Sequence, residues 1–181
     1  LMFRFLAVGL LLAAGALAQR NVSGATPIPE QDCFDVSHYR LALVVEPKAK
    51  TIAGSLTMTA TVVKPTKRIA LDLDEAFTVA EVLVGDRQAK FEHKELRVWI
   101  DLPDAVEEGA ELRVEITYAG APLVAKNPPW TGGFTWATTR DGAPWIATSC
   151  QGEGADLWWP CKDQPDDEPD TMDLIITVPG D

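Results

Sequence analysis

SLTMTATV, residues 55–62, alternates apolar and hydroxyl-bearing side chains without a break. Because successive side chains of an extended chain point to opposite sides, this alternation predicts a β-strand with one buried face. A solvent face lined mainly by threonine favours antiparallel pairing with the neighbouring strands. The buried face would carry Leu56, Met58, Ala60 and Val62.

The same alternation continues on both sides of this stretch. Residues 77–84 are less regular and predict a strand with a bulge, because Thr78, Val79 and Val82 disfavour a short helix there. Strands that recur about every ten residues, with turn residues between them, predict an all-β protein, here an antiparallel β-sandwich. The further apolar faces lie at residues 39–45, 69–73, 96–102 and 112–118, and residues 103–109 are expected to form a polar loop.

A change of composition follows Gly120, where tryptophan, proline and glycine become frequent. Residues 134–136 and 145–149 predict a hairpin that turns at Asp141 and Gly142. Trp130, Trp136 and Trp145 lie in or beside this hairpin. Aromatic residues beside glycines are typical of a binding surface or of a second packed layer, and both interpretations remain open at this point.

The N-terminus has the features of a secretory signal peptide. Arg4 precedes an apolar run over residues 5–18 that ends in Ala-Leu-Ala, and a run of this length is too short for a spanning helix. We therefore expect a cleaved signal peptide over residues 1–18, a linker over 19–31 and a β domain over 32–181. The protein would be secreted or periplasmic, with no stable membrane insertion after cleavage.

Charge and cysteine content exclude some classes of function. The chain has 16 basic and 27 acidic residues and a net charge of −11, which argues against nucleic-acid binding. Its cysteines, Cys33, Cys150 and Cys161, are too few for a disulfide scaffold, and none forms a C-x-x-C pair. A disulfide between Cys150 and Cys161 is possible in an oxidising compartment, but buried thiols explain the pattern equally well.

No complete catalytic or metal site is visible in the sequence. The two histidines, His38 and His93, lie outside any H-E-x-x-H motif and are expected at the surface, with His93 in a polar loop. Six carboxylates between Asp163 and Asp173 lack the spacing of a calcium loop, and the prolines among them predict an extended, solvated segment.

The stretch from Thr148 onward resembles the N-terminal domain of the aminopeptidase N family of zinc metallopeptidases, the gluzincins that include the leukotriene-A hydrolases. The matching motifs are Thr-Ser-Cys-Gln at 148–151, Trp-Pro-Cys-Lys-Asp-Gln-Pro at 159–165 and the strand that ends in Val-Pro at 172–179, and the D-x-x-H-Y-x-L strand at 35–41 also matches. The resemblance covers residues 32–179. Residues 152–156 depart from it, because many relatives carry an arginine there.

This resemblance implies a saddle-shaped β domain that covers one side of the protein's own downstream catalytic domain. It implies zinc in the full-length enzyme, with none bound by this fragment, which would be inert alone. Gln151 matches the residue that holds the free α-amino group of a peptide substrate, and Glu153 is a candidate second carboxylate for that amine. The alternative is a free-standing secreted β-sandwich module that binds peptide or glycan through its tryptophans.

Overall fold

The computed structural model describes residues 26–180, and their regular secondary structure consists entirely of β-strands. The predicted all-β class is therefore confirmed. The strands are β1 (Phe34–Glu46), β2 (Thr51–Val62), β3 (Thr66–Asp72), β4 (Phe77–Val84), β5 (Arg87–Gln88), β6 (Lys90–Lys94), β7 (Arg97–Val106), β8 (Glu111–Gly120), β9 (Gly133–Thr138), β10 (Pro144–Ser149) and β11 (Thr171–Thr177).

The strands form three sheets. A six-stranded sheet has the order β11-β1-β2-β8-β4-β5, a three-stranded sheet has the order β3-β7-β6, and β9 and β10 form a hairpin. Neighbouring strands are antiparallel except β1 and β11, which run parallel at one edge of the large sheet. The antiparallel body matches the sequence prediction, and the parallel edge strand is a feature that the alternation does not reveal.

One continuous core lies between the large sheet and the smaller sheets. The residues predicted to be apolar on β2 are all inside it, and Leu56, Met58 and Val62 are completely buried. β1, β7 and β8 contribute their predicted faces in the same way. The alternation in the sequence thus corresponds to sheets that pack by one face.

β3 departs from the alternation, since Ala70 and Asp72 are buried as well as Ile69 and Leu71. The second face of this strand is covered by two other parts of the chain. The Ala70 amide donates to Glu30 O, and Asp72 forms an isolated antiparallel bridge with Cys161. A strand predicted to have one solvent face is therefore enclosed on both sides.

Two further predictions are corrected by the structure and one is confirmed. β7 extends to Val106, so most of the predicted polar loop is strand. His93 lies on β6 rather than in a loop, and it is half-buried with Nε2 3.1 Å from Leu73 O. The strand over residues 77–84 is present, with a register shift between Val79 and Glu81 that corresponds to the predicted bulge.

The described chain begins inside the predicted linker. Residues 28–31 form a turn in which the Gln31 amide donates to Ile28 O, and the Gln31 side chain is fully buried. These residues pack onto β3, so the folded domain begins before residue 32. The predicted signal peptide lies outside the described residues. Among residues 26–180, no helix is long and apolar enough to cross a membrane.

Candidate functional site

The hairpin of β9 and β10 brings two glycines and the predicted substrate-binding turn to one end. In its register Gly133 is opposite Ser149, so Gly132 lies next to the segment that begins at Cys150. Gly133 has a φ of 127°, and a Cβ there would lie 2.5 Å from Leu123 O. The close backbone approach therefore requires glycine at this position.

Gln151 lies on a tight turn directly after β10. The amides of Glu153 and Gly154 both donate to Cys150 O, at 3.2 and 2.9 Å. Gly152 and Gly154 have φ angles of 81° and 93°, which favour glycine. The turn leaves Gln151 exposed and Glu153 half-buried.

Glu153 joins this turn to the loop before β9. The Gly132 amide donates to Glu153 Oε2 at 2.8 Å, and a Cβ on Gly132 would lie only 2.3 Å from the same oxygen. One carboxylate oxygen of Glu153 is thus engaged by the protein's own backbone. Its role toward a substrate amine stays a prediction. A cavity of about 380 Å³ adjoins it, lined by Leu123, Val124, Lys126, Thr131, Gly132 and Glu153.

The far side of the turn rests on a buried carboxylate network around Asp72. A Cβ on Gly154 would lie 2.2 Å from Asp163 Oδ2, so the Asp163 carboxylate lies directly against the Gly154 backbone. The Asp163 amide donates to Asp72 Oδ2 at 3.2 Å. Gln31 Nε2 donates to the same oxygen at 2.6 Å, and Arg97 Nε donates to Asp72 Oδ1 at 3.0 Å.

Burial raises the pKa of Asp72, although the Asp163 amide and the Arg97 guanidinium act in the opposite direction. Desolvation of the carboxylate is therefore the largest influence on the pKa of Asp72. Since a buried carboxylate is tolerated only where donors surround it, the contacts from Gln31, Arg97 and Asp163 are needed to hold it in place.

The Trp-Trp-Pro-Cys segment is held to the large sheet by two tyrosines. Tyr118 Oη donates to Trp158 O at 3.0 Å, and the Lys162 amide donates to Tyr39 Oη at 3.0 Å. The ring of Tyr39 also packs edge-on against Trp159, with centroids 4.9 Å apart. The family-like motif is thus a structural clamp that positions the preceding turn.

The three cysteines are free thiols in the structure. Trp158 Nε1 lies 3.3 Å from Cys150 Sγ and donates to it, and Cys161 is buried. Burial raises the pKa of both Cys150 and Cys161, which disfavours the reactive thiolates. In the structure Cys161 and Cys33 are buried and Cys150 is half-buried, and the possible Cys150–Cys161 disulfide stays a question for experiment.

We expect all three thiols of this chain to react with a thiol reagent under denaturing, non-reducing conditions. The physical reason is that the low thiolate population of Cys150 and Cys161 slows their oxidation. A parallel sample reduced before titration supplies the total, and equal counts are expected. A count of one thiol in the unreduced sample would show that the Cys150–Cys161 bridge forms after all.

Asp166, Glu168, Asp170 and Asp173 are exposed, in keeping with the predicted solvated segment, whereas Asp167 lies against β1. Asp167 forms an ion pair with Lys162, and its Oδ1 accepts a hydrogen bond from the Val36 amide at 3.2 Å. A hydrogen bond with Asp167 raises the pKa of Asp35. Within residues 26–180, no group of three or more His, Cys, Asp or Glu side chains is arranged to hold a metal ion.

The three tryptophans expected in or beside the hairpin differ in position and exposure. Trp130 and Trp145 are exposed by 72% and 52%. Trp130 precedes the start of β9, whereas Trp145 pairs with Ala137 toward the other end of the hairpin. Trp136 packs against Phe134, with centroids 5.2 Å apart.

His38, expected at the surface, is half-buried beside Thr171.

Gln151 is the predicted site residue whose side chain is exposed at the turn. Its carboxamide, which can accept a hydrogen bond from an ammonium group, lies on a turn closed by two amide hydrogen bonds to Cys150 O. Sequence reasoning did not identify Asp72, Gly132 or Gly154 as supports of this turn. Asp72 had no signal, because it alternates with Ile69 and Leu71 on the face of β3 that was expected to be exposed, and the glycines had no signal beyond their residue type.

Solved structures with the same fold are zinc metallopeptidases and a leukotriene hydrolase. An M1 zinc metallopeptidase of Deinococcus radiodurans, bound to a Tyr-Ser-Ala substrate, is 25% identical with a TM-score of 0.62, covering 81% of this chain and 33% of that one. A two-domain M1 zinc metallopeptidase bound to L-tryptophan is 24% identical with a TM-score of 0.65, covering 85% of this chain and 35% of that one.

Yeast leukotriene A4 hydrolase in complex with bestatin is 21% identical with a TM-score of 0.66, covering 87% of this chain and 26% of that one. The chain therefore spans about a third of the length of the first two structures. No significant match is found among curated protein sequences. The family model for the peptidase M1 N-terminal domain matches residues 35–179. With its sheets, its Trp-Pro-Cys clamp and this match over most of its length, the chain belongs to the peptidase M1 family as an N-terminal domain.

Proposed function

We propose that this chain is the substrate-capping N-terminal domain of a secreted zinc-dependent aminopeptidase that removes N-terminal residues from peptides. The observation that carries the proposal is the exposed Gln151 on a turn braced from both sides, by Gly132 through Glu153 and by Asp163 against Gly154. A side chain that fixes the end of a substrate must be held rigidly by its surroundings.

Gln151 has the chemistry needed to select a free amino terminus. Its carboxamide oxygen can accept a hydrogen bond from an α-ammonium group, which an N-blocked peptide does not offer. The turn exposes this residue rather than packing it into the core. Glu153 would add negative charge beside the amine through its half-buried carboxylate.

Bond cleavage would take place on a separate catalytic domain of the same polypeptide. The described residues offer no metal-ligand group, so they do not fit the zinc that the family uses. In this proposal zinc belongs to that catalytic domain, where it would supply Lewis-acid chemistry. In this proposal residues 26–180 contribute only binding and orientation, and the fragment alone is inert.

We expect Gln151→Ala in the full-length enzyme to lower kcat/KM for peptides with a free α-amine by about 10–100-fold, the cost of losing one hydrogen bond to a charged group. Peptides with a blocked N-terminus should be affected little, and the zinc content should not change. The measurement is kcat/KM for a matched pair of free and acetylated substrates, together with metal analysis.

Gln88→Ala is the matched control, because Gln88 is also exposed but lies on β5, away from the turn. It should leave both substrates unaffected. Gln151→Glu should preserve the preference for the free amine, since a carboxylate accepts the same hydrogen bond with greater charge assistance. An equal loss on free and acetylated substrates after Gln151→Ala would contradict the assigned role.

A further inference from the structure

One face of the β9–β10 hairpin is covered by the core along only part of its length. In the register Trp136 is opposite Ile146 and Thr138 is opposite Pro144, so these four side chains share one face. Phe134, nearer to the start of β9 on the same face, is buried in the core. Toward the hairpin turn the face opens instead into a cavity of about 380 Å³.

The turn between β1 and β2, residues 47–50, forms the other wall of this cavity and brings two cations to it. Lys48 and Lys50 both line the cavity, and both are exposed. Of the residues that the structure describes, none that lines the cavity carries a carboxylate. The chain as a whole has 27 acidic and 16 basic residues, so this local excess of positive charge is unusual for it. Such a lining favours an anionic ligand.

The backbone holds Lys50 in a conformation that disfavours a side chain. Its φ angle is 56°, in the left-handed region that glycine adopts without strain. Residues other than glycine that are kept in this region occur preferentially at functional sites. Here the residue that is kept carries one of the two ammonium groups at the cavity, which indicates that the side chain is needed there.

Trp136 adds an aromatic surface and an unpaired donor. The residue is half-buried, and its ring is supported from the core side by Phe134. Its Nε1–H is buried and has no hydrogen-bond partner among residues 26–180. Since buried donors are normally paired, an unpaired one on a residue that lines a cavity is accounted for by an acceptor that a ligand brings.

We infer that this cavity binds a small organic acid, with its carboxylate between Lys48 and Lys50 and its apolar or aromatic body against Trp136 and Ile146. The volume lies within the range of small-molecule sites, and mostly apolar walls with a few polar groups are typical of them. A bare inorganic anion would leave the apolar walls without a contact. The inference does not rest on the proposed function, because Gln151 follows the opposite end of β10.

Phenylacetate is the probe, because it joins a carboxylate to an aromatic ring. Binding is followed by fluorine NMR of the complete protein labelled with 5-fluorotryptophan, and the signal that disappears in Trp136→Phe identifies Trp136. We expect phenylacetate to shift this signal saturably. Phenylacetamide has the same shape without the charge, and acetate has the charge without the ring, so both should bind much more weakly. Equal affinity for phenylacetamide and phenylacetate would overturn the inference.

Lysine variants test the contribution of charge. Lys48→Gln and Lys50→Gln should each weaken phenylacetate binding by about 2–5-fold, the range that corresponds to exposed ion pairs. Added salt should weaken binding to the unmodified protein as well. Lys90→Gln is the matched control, because Lys90 is also exposed but lies on β6, outside the cavity. This control should bind phenylacetate with unchanged affinity.

Lys50→Gly separates binding from folding. Glycine adopts the positive φ angle without strain but lacks the ammonium group, so this variant should remain folded and still bind as weakly as Lys50→Gln. Unchanged affinity in the Lys48 and Lys50 variants would overturn the inference. Equal shifts of the Trp130 and Trp145 signals would also overturn it, because they would show that phenylacetate adheres to exposed tryptophans in general.

Discussion

Gly154→Ala is expected to destabilise the domain by about 2–5 kcal/mol, because backbone strain and steric overlap add at this position. The φ angle of 93° disfavours any side chain, and the new Cβ would lie 2.2 Å from Asp163 Oδ2 and 2.7 Å from Asp156 Oδ1. Asp163 cannot move away freely, since its amide is bound to Asp72. The free energy of unfolding from urea denaturation measures the effect.

Gly152→Ala is a matched control only two residues away. Gly152 has a similar φ angle of 81°, but no atom lies within 4 Å of the position of its Cβ. This variant should therefore lose only the strain contribution, about 1–2 kcal/mol. If both variants lower the free energy of unfolding equally, the contact of Asp163 with Gly154 does not contribute to stability. The claim that Asp163 supports the turn would then be refuted.

Asp72→Ala is expected to cost about 3–5 kcal/mol, the range found when one partner of a buried ion pair is removed. It leaves Gln31, Arg97 and the Asp163 amide without their common acceptor. For a domain of this size the melting temperature should fall by roughly 6–20 °C. Thermal unfolding followed by circular dichroism measures the change.

The exposed pair of Arg68 and Asp101 is the control for this variant. Arg68 Nε lies 3.3 Å from Asp101 Oδ1, but the two side chains are 38% and 56% exposed. Asp101→Ala should therefore cost less than about 1 kcal/mol. A loss for Asp72→Ala no larger than that of Asp101→Ala would mean that the buried network does not stabilise the site.

Both large effects concern residues that support Gln151 without touching a substrate. The two braces of the turn come from distant parts of the chain, the loop before β9 and the Asp72 network that includes Gln31 and Arg97. Because the substrate-binding role proposed for Gln151 requires a rigid turn, loss of either brace is expected to reduce the selectivity of the enzyme as well as its stability.

Much of the fold could be predicted from local patterns. The alternation on β1, β2, β7 and β8 correctly identified which residues face the core. It failed at β3, where Ala70 and Asp72 are enclosed by residues 28–31 and by Cys161. The alternation of residue types indicates which face of a strand is apolar. It does not indicate whether a distant segment of the chain covers the polar face.

The candidate site was predicted less completely. The family-like motif led to Gln151, whose role stays a prediction, and Gly152 and Gly154 beside it have positive φ angles. The contacts of Glu153 with Gly132 and of Asp163 with Asp72 join residues that are 21 and 91 positions apart. No local pattern encodes such pairs, because each depends on how separate strands come together.

The sequence by itself determined the all-β class, the buried faces of most strands and the motif that shows the family, since these depend on residue type and short-range periodicity. Only the tertiary structure decided that β11 joins the sheet as a parallel edge strand, that Asp72 is a buried hub and that Glu153 is bound by Gly132. The physical reason is that burial and hydrogen-bond satisfaction are properties of the packed chain, in which partners are neighbours in space and not in sequence.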